Sequence, residues 1–250
     1  MNFELANRKN LTSLYNEIGN DGTEYTLIRE DFFYLVQPKN NCWPNFIWDI
    51  SKDDESGSIG SQVLNLYKDQ TNKPIIISDG DLDLELFLKK NDFVIVDQWR
   101  GMYKLLDYKI IIDDYIGQVY EVRIINSNLS NWVDFVSDEL FKGQRLSQNI
   151  FVRLRERGNK LIGIYDKDNK IVGCALIYFD CNNFGSFYMV CVNLQHRGLG
   201  LGKLLVNYGL RMMQEKGIIV ALLQSTKAGY KLYKSTGFIE SNTYNLLVRK

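Results

Sequence analysis

Residues 196–205 read HRGLGLGKLL. Gly198, Gly200 and Gly202 alternate with Leu199 and Leu201, between Arg197 and Lys203, and an apolar helical pattern starts at once. Glycine costs backbone entropy on folding, so three in five positions need a physical reason. One reason is a tight turn that holds no ligand. The other is an anion that approaches bare backbone N–H groups at a helix start. The surrounding chain has to choose between them.

Upstream, YEVRII (120–125) alternates like a strand, and SNLSNWVDFVSDELF (127–141) places Leu129, Trp132, Phe135, Val136 and Leu140 on one helical face. SQNIFVRLRERG (147–158) reads as a short helix ended by Gly158. KLIGIYD (160–166) and KIVGCALIYFD (170–180) form a hairpin, and FGSFYMVCV (184–192) is a strand buried at its end. Downstream, Leu201, Leu204, Leu205, Tyr208 and Met212 mark a helix that Gly217 stops. A buried strand (218–224), a helix (227–236) and one or two final strands complete the chain. This order mixes antiparallel hairpins with a βαβ unit. The fold class it predicts is α/β: a mixed, mostly antiparallel sheet flanked by helices, with a smaller N-terminal α/β domain. The expected domains are 1–116 and 117–250, joined through a linker at 113–117.

The composition is that of a soluble globular chain, 45% hydrophobic and 24% charged. No apolar run is long enough to span a membrane, and the N-terminus lacks a signal-peptide core. Cys42, Cys174, Cys181 and Cys191 form no C-x-x-C pair; three stand in apolar stretches and read as buried free thiols, which points to a reduced, cytoplasmic protein. The net charge of zero hides an asymmetry. Residues 1–116 carry 12 Lys and Arg against 20 Asp and Glu, a balance of −8; residues 117–250 carry 18 against 10, a balance of +8. The second half therefore suits an anionic partner, but without a long basic run it does not suit nucleic acid. His196 is the single histidine, which excludes His-based metal cages and leaves acid–base work to Tyr, carboxylates, Lys, Cys or water. No metal site is expected.

The loop is neither a dinucleotide fingerprint, because Lys203 stands where the last Gly would fall, nor a Walker A sequence. It is Arg-x-x-Gly-x-Gly, formed by Arg197, Gly200 and Gly202, between the strand end Val190-Cys191-Val192 and a helix, with Leu232-Tyr233 and Gly237-Phe238 farther on. In that ordered set the chain from about 119 to 250 resembles the GNAT family of N-acetyltransferases. The resemblance implies an acyl-CoA N-acyltransferase fold with acetyl-CoA as co-substrate. It implies that the backbone of Val190, Cys191 and Val192 takes the pantetheine arm, that the loop from Arg197 through Gly198, Leu199, Gly200, Leu201 and Gly202 to Lys203 cradles the pyrophosphate, and that Tyr233 is the general acid. Thr226 stands where family members often carry Asn, and is expected to contribute to cofactor binding.

Residues 184–192 contain no carboxylate, so the general base is open among water, Asp180 and a group from the first half; His196 reads as loop surface. The expected reaction is direct acetyl transfer to a primary amine on a small molecule or peptide. Its alternatives are a CoA-binding module without turnover and a transferase for a longer acyl chain. In the first half, 74–106 looks like a faded copy of the chain's end. Aligning Phe93 on Phe238 puts Leu88 on Tyr233 and the loop's counterpart near SGSIG (56–60). A tandem, degenerate first copy predicts strand–helix–hairpin over 74–106. Its rival is an unrelated α/β domain. Trp43, Trp48 and Trp99 are expected in the core of this half.

Overall fold

The computed structural model describes residues 1–20, 22–40, 42–51, 58–70, 72–106 and 119–250. The chain forms two compact units: Met1–Gly101 with Gln224–Ala228 and Glu240–Lys250, and Met102–Leu223 with Gly229–Ile239. The linker expected at 113–117, and with it the boundary at 116, lies outside the described residues.

The first unit opens with helix α1 (Phe3–Gly19), whose first turn is capped by the Asn2 side chain. Strands β1 (Tyr25–Arg29), β2 (Tyr34–Pro38) and β3 (Phe46–Trp48) follow as an antiparallel meander. Helix α2 (Ser58–Asp69) then crosses to β4 (Ile75–Ser78), which lies parallel to β3. Helix α3 (Leu82–Lys90) starts on the Asp81 cap, and β5 (Phe93–Leu105) follows. The chain's last strand, β11 (Ile239–Arg249), belongs to this unit from Glu240 onward and pairs antiparallel with β4. The strand order is β1-β2-β3-β4-β11-β5. The core gathers Leu35, Ile47, Val63, Ile76, Leu88, Phe93 and Leu247, with Trp48 stacked on Tyr34.

Residues 74–106 thus form strand–helix–strand, and the expected hairpin is absent because Phe93–Leu105 is one unbroken strand. Gly101 sits inside it. A Cβ there would fall on the Asn242 side chain of β11, so the glycine serves close approach of a neighbouring strand.

The second unit contains β6 (Glu121–Ile124), α4 (Leu129–Phe141), α5 (Gln148–Glu156), β7 (Lys160–Tyr165), β8 (Ile171–Phe179), β9 (Gly185–Val192), a 3-10 turn (Leu194–His196), α6 (Leu201–Glu215), β10 (Val220–Ser225) and α7 (Tyr230–Ser235). Strands β6 to β9 are antiparallel neighbours, and β10 is parallel to β9, so the sheet is mixed and mostly antiparallel as expected. Helix α6 buries Leu201, Leu204, Leu205, Val206, Gly209, Leu210 and Met213; Tyr208 and Met212 are only partly buried. It ends at Gly217 (φ 79), with the Ile218 N–H on the Met213 carbonyl and the Gly217 N–H on that of Gln214, a left-handed cap that satisfies two orphan carbonyls. Gly158 (φ 90) closes α5 in the same way.

The two units repeat one order of elements up to the short helix: an antiparallel meander, a crossover helix, a parallel strand and a short helix; the strand that follows the second unit's short helix is β11, which belongs to the first unit from Glu240 onward. With Phe93 placed on Phe238, Phe87 falls on Leu232. Each packs on a glycine in the first turn of its unit's crossover helix: Phe87 against Gly60, and Leu232 against Gly202. Of the four cysteines, Cys174 and Cys191 are buried and Cys181 is exposed in the β8–β9 turn; all are free.

Candidate active site

The second unit builds its site around β9. The parallel ladder joins Gly185 to Ala221 and Ser186 to Leu222, and no later residue of β9 has a partner on β10 among the described residues. A bulge causes the divergence. Cys191 lies opposite Cys174 and Tyr188 opposite Leu176, so Met189 and Val190 together face Ala175. Met189 takes φ 53, a left-handed conformation that costs a side-chain residue about 1–2 kcal/mol. The backbone of Val190, Cys191 and Val192 on the side away from β8 is therefore left out of the ladder.

The glycine loop follows directly. Gly198 (φ 79) and Gly200 (φ 82) take conformations that L side chains avoid, and a Cβ on Gly198 would meet open space. Gly200 caps α6 without a side chain, so the first-turn N–H groups face the loop with no competing acceptor from the cap. Gly202 has a different role: a Cβ would press on Leu232 of α7 at 3.1 Å. Leu199 is exposed, Leu201 buried, and Lys203 exposed on the first turn.

Arg197 does not point freely outward. Its Nε donates to the Val192 carbonyl at 3.0 Å, and its Nη2 lies 3.9 Å from Oε2 of Glu139 on α4. Glu139 Oε1 also accepts from Asn193 Nδ2 at 2.7 Å, and Asn193 Oδ1 accepts from the Gln195 N–H at 3.0 Å. Glu139 thus ties the strand end and the loop to α4. Nothing in the local sequence marks it; the contact exists only once the fold has formed. His196 is half-buried rather than on the surface. Its ring meets Tyr120 edge-on at 6.1 Å, and its Nδ1 is buried without a partner among the described residues.

Tyr233, on α7, is 8% exposed and packs edge-on against Phe238 at 5.7 Å. Burial first, and the neighbouring Cys191 second, push its hydroxyl well above the usual tyrosine range. Cys191 and Cys174 face each other with sulfurs 3.3 Å apart, and burial, with the neighbouring thiol, drives the Cys174 thiol up. Thr226 is exposed just past β10, in the stretch Gln224–Ala228 that belongs to the first unit. Asp180 accepts from the N–H groups of Asn182 and Phe184 in the β8–β9 turn, at the end of β9 opposite the glycine loop. It is a turn residue, removed from the splayed strand end by a strand's length.

Comparison with known proteins gives three findings. Residues 147–240 match the family model described as acetyltransferase (GNAT) domain. No curated protein matches the chain in sequence. Among solved structures, a GCN5-related N-acetyltransferase from Kribbella flavida aligns over 100% of this chain and 95% of its own, with TM-score 0.68 and 12% identity. A GCN5-related N-acetyltransferase from Sphaerobacter thermophilus covers 89% of this chain and 75% of its own, at TM-score 0.63 and 13% identity. A tandem GNAT protein from the clavulanic acid biosynthesis pathway covers 91% and 84%, at TM-score 0.60 and 14% identity. At these identities the likeness is one of fold.

Proposed function

We propose that this chain, which carries an acetyltransferase (GNAT) domain over residues 147–240, is an acetyl-CoA-dependent N-acetyltransferase that acts on a primary amine by direct transfer. The observation that supports this most is the splayed end of β9 running straight into a bare helix N-terminus. The residues present fit a CoA thioester. An unpaired strand edge offers backbone groups to an amide-rich arm, and first-turn N–H groups with a helix dipole favour a pyrophosphate. In this reading Val190, Cys191 and Val192 hold the arm, Gly198 to Lys203 receive the phosphates through backbone, and Arg197 braces the loop.

The transfer joins the amine nitrogen to the thioester carbonyl carbon and breaks the carbon–sulfur bond. Tyr233, kept protonated by burial, gives its proton to the departing sulfur. The nitrogen's surplus proton goes to water, since Asp180 is occupied in its turn. Direct transfer is favoured because the buried Cys174–Cys191 pair has no histidine or carboxylate bonded to either sulfur among the described residues. The first unit is proposed to be a degenerate first copy of the same fold, with the single strand Phe93–Leu105 in place of the expected hairpin, supported by the element order shared up to the short helix and by the paired Gly60–Phe87 and Gly202–Leu232 contacts. Cytoplasmic residence is proposed from the free cysteines; no helix among the described residues is long and apolar enough to cross a membrane.

Calorimetric titration of acetyl-CoA into the protein and into Gly200→Glu tests the reading. Binding to the wild type that disappears in the variant is the expected outcome. Equal binding to both proteins, or none to the wild type, overturns it.

A further inference from the structure

The thiols of Cys174 and Cys191 have no part in the proposed transfer, yet they are placed as a pair. The two residues are register partners across the β8–β9 ladder, and their sulfurs lie 3.3 Å apart. Opposed residues of antiparallel strands hold their Cα atoms about 4.5–5.5 Å apart. A disulfide bridges Cα atoms about 4.4–6.8 Å apart. The backbone therefore stands at a bonding separation, and the side chains already meet.

The two sulfurs differ in their surroundings. Cys174 is fully buried and donates its hydrogen to the Met189 carbonyl at 3.3 Å. Burial, with the neighbouring thiol, holds Cys174 protonated. Cys191 is 7% exposed and stands in the stretch of β9 that has no partner on β10 among the described residues. A small oxidant therefore meets Cys191 first, with Cys174 behind it. Met189 is the left-handed residue of the bulge from which the strand end diverges. The bond from Cys174 ties the thiol pair to the shape of that end.

We propose that Cys174 and Cys191 are a modification site for peroxide, which converts the pair to a cross-strand disulfide and thereby weakens the splayed end of β9 as a holder of acyl-CoA. The Cys191 sulfur attacks one oxygen of hydrogen peroxide. The O–O bond breaks, and the other oxygen leaves as water with the thiol proton. Cys191 is then a sulfenic acid. The Cys174 sulfur attacks the sulfenic sulfur, and the hydroxyl leaves as water with the Cys174 proton. The sulfurs have given up two electrons and the peroxide has taken them. Cys174 can no longer donate to Met189, so the bulge loses a bond that shapes the strand end. The effect on acyl-CoA rests on the proposed function; the formation of the disulfide does not.

The test uses the full chain with Cys42→Ser and Cys181→Ser, so that only the pair remains. One equivalent of hydrogen peroxide is expected to remove both thiols together and to lower the mass by two hydrogens, and dithiothreitol to reverse both changes. Chymotryptic cleavage at Tyr178 and Tyr188 puts the two cysteines on separate peptides, which should stay joined until reduced. With Cys174→Ser added, dimedone should label Cys191; in the intact pair Cys174 consumes the sulfenic acid first. Acetyl-CoA, titrated by calorimetry, should bind the oxidised protein at least fivefold more weakly than the reduced protein. Thiols that survive the peroxide, a disulfide between two chains, or equal affinity of the two forms overturns the proposal. Failure of the reduced protein to bind acetyl-CoA overturns the acyl-CoA reading and the effect on it, while the joined peptides still decide the disulfide. If the double variant does not fold, the joined peptides from the wild-type chain decide it.

Discussion

Tyr233 keeps its proton because it is buried, and this sets how its removal should read. Its hydroxyl ionises above the usual tyrosine value of about 10, so the acid form persists throughout the accessible range. The rate should show no descending limb from this group below about pH 10. Tyr233→Phe should lower kcat by about a hundredfold or more while acetyl-CoA affinity stays within error. Unchanged turnover would remove the acid assignment, and the absence of turnover in the wild type as well would favour a binding module. Glu139 acts through its neighbours. Glu139→Ala should raise the KM for acetyl-CoA about fivefold with little change in kcat, the worth of about 1 kcal/mol of partly screened hydrogen bonding. Steady-state kinetics on the two variants separates the roles. Gly200 and Arg197 were legible because their spacing is local, within one loop. Glu139 was not, because it reaches Asn193 across 54 residues and stands among ordinary polar positions of a helix face.

Helix α6 shows the same contrast one level up. Its start and stop are written in local glycines, and both were readable. Its buried face was legible only through Leu201, Leu204 and Leu205; beyond them Gly209, Leu210 and Met213 are buried where periodicity pointed to Tyr208 and Met212. A glycine does not register as apolar. Its burial here comes from the Phe187 ring on β9, since a Cβ at Gly209 would run into that ring and lie 2.6 Å from Ile177 Cδ1. Gly209→Val should therefore destabilise by about 1–3 kcal/mol, visible as a lower urea midpoint, because overpacking outweighs the gain in helix propensity. Gly101 in β5 is a second case: its lack of a side chain makes room for Asn242 on the neighbouring strand, a contact that no local pattern announces.

Across the whole molecule, the order of elements was more legible than their membership. Strand–helix rhythm identified β4, α3 and β5 without saying that residues 240–249 would be the strand beside β4. Periodicity along a chain reports which face of a strand is buried, and is silent about which distant segment pairs with it. Removing residues 240–250 should therefore weaken the first unit. Hydrogen exchange of Ile75–Ser78, which faces β11, should accelerate by at least tenfold, while the β7–β8 ladder keeps its protection. Equal loosening of both would mean that the last strand is not a private support of the first unit. The same strand has a consequence for biosynthesis. A ribosome makes the first unit's opening residues early and its closing strand last. At elongation rates of roughly 5–20 residues per second, β4 waits on the order of 10–30 s for its neighbour. During that interval one edge of β4 offers unpaired amides to any passing strand, which makes the nascent chain a client for holding factors until residues 240–249 emerge.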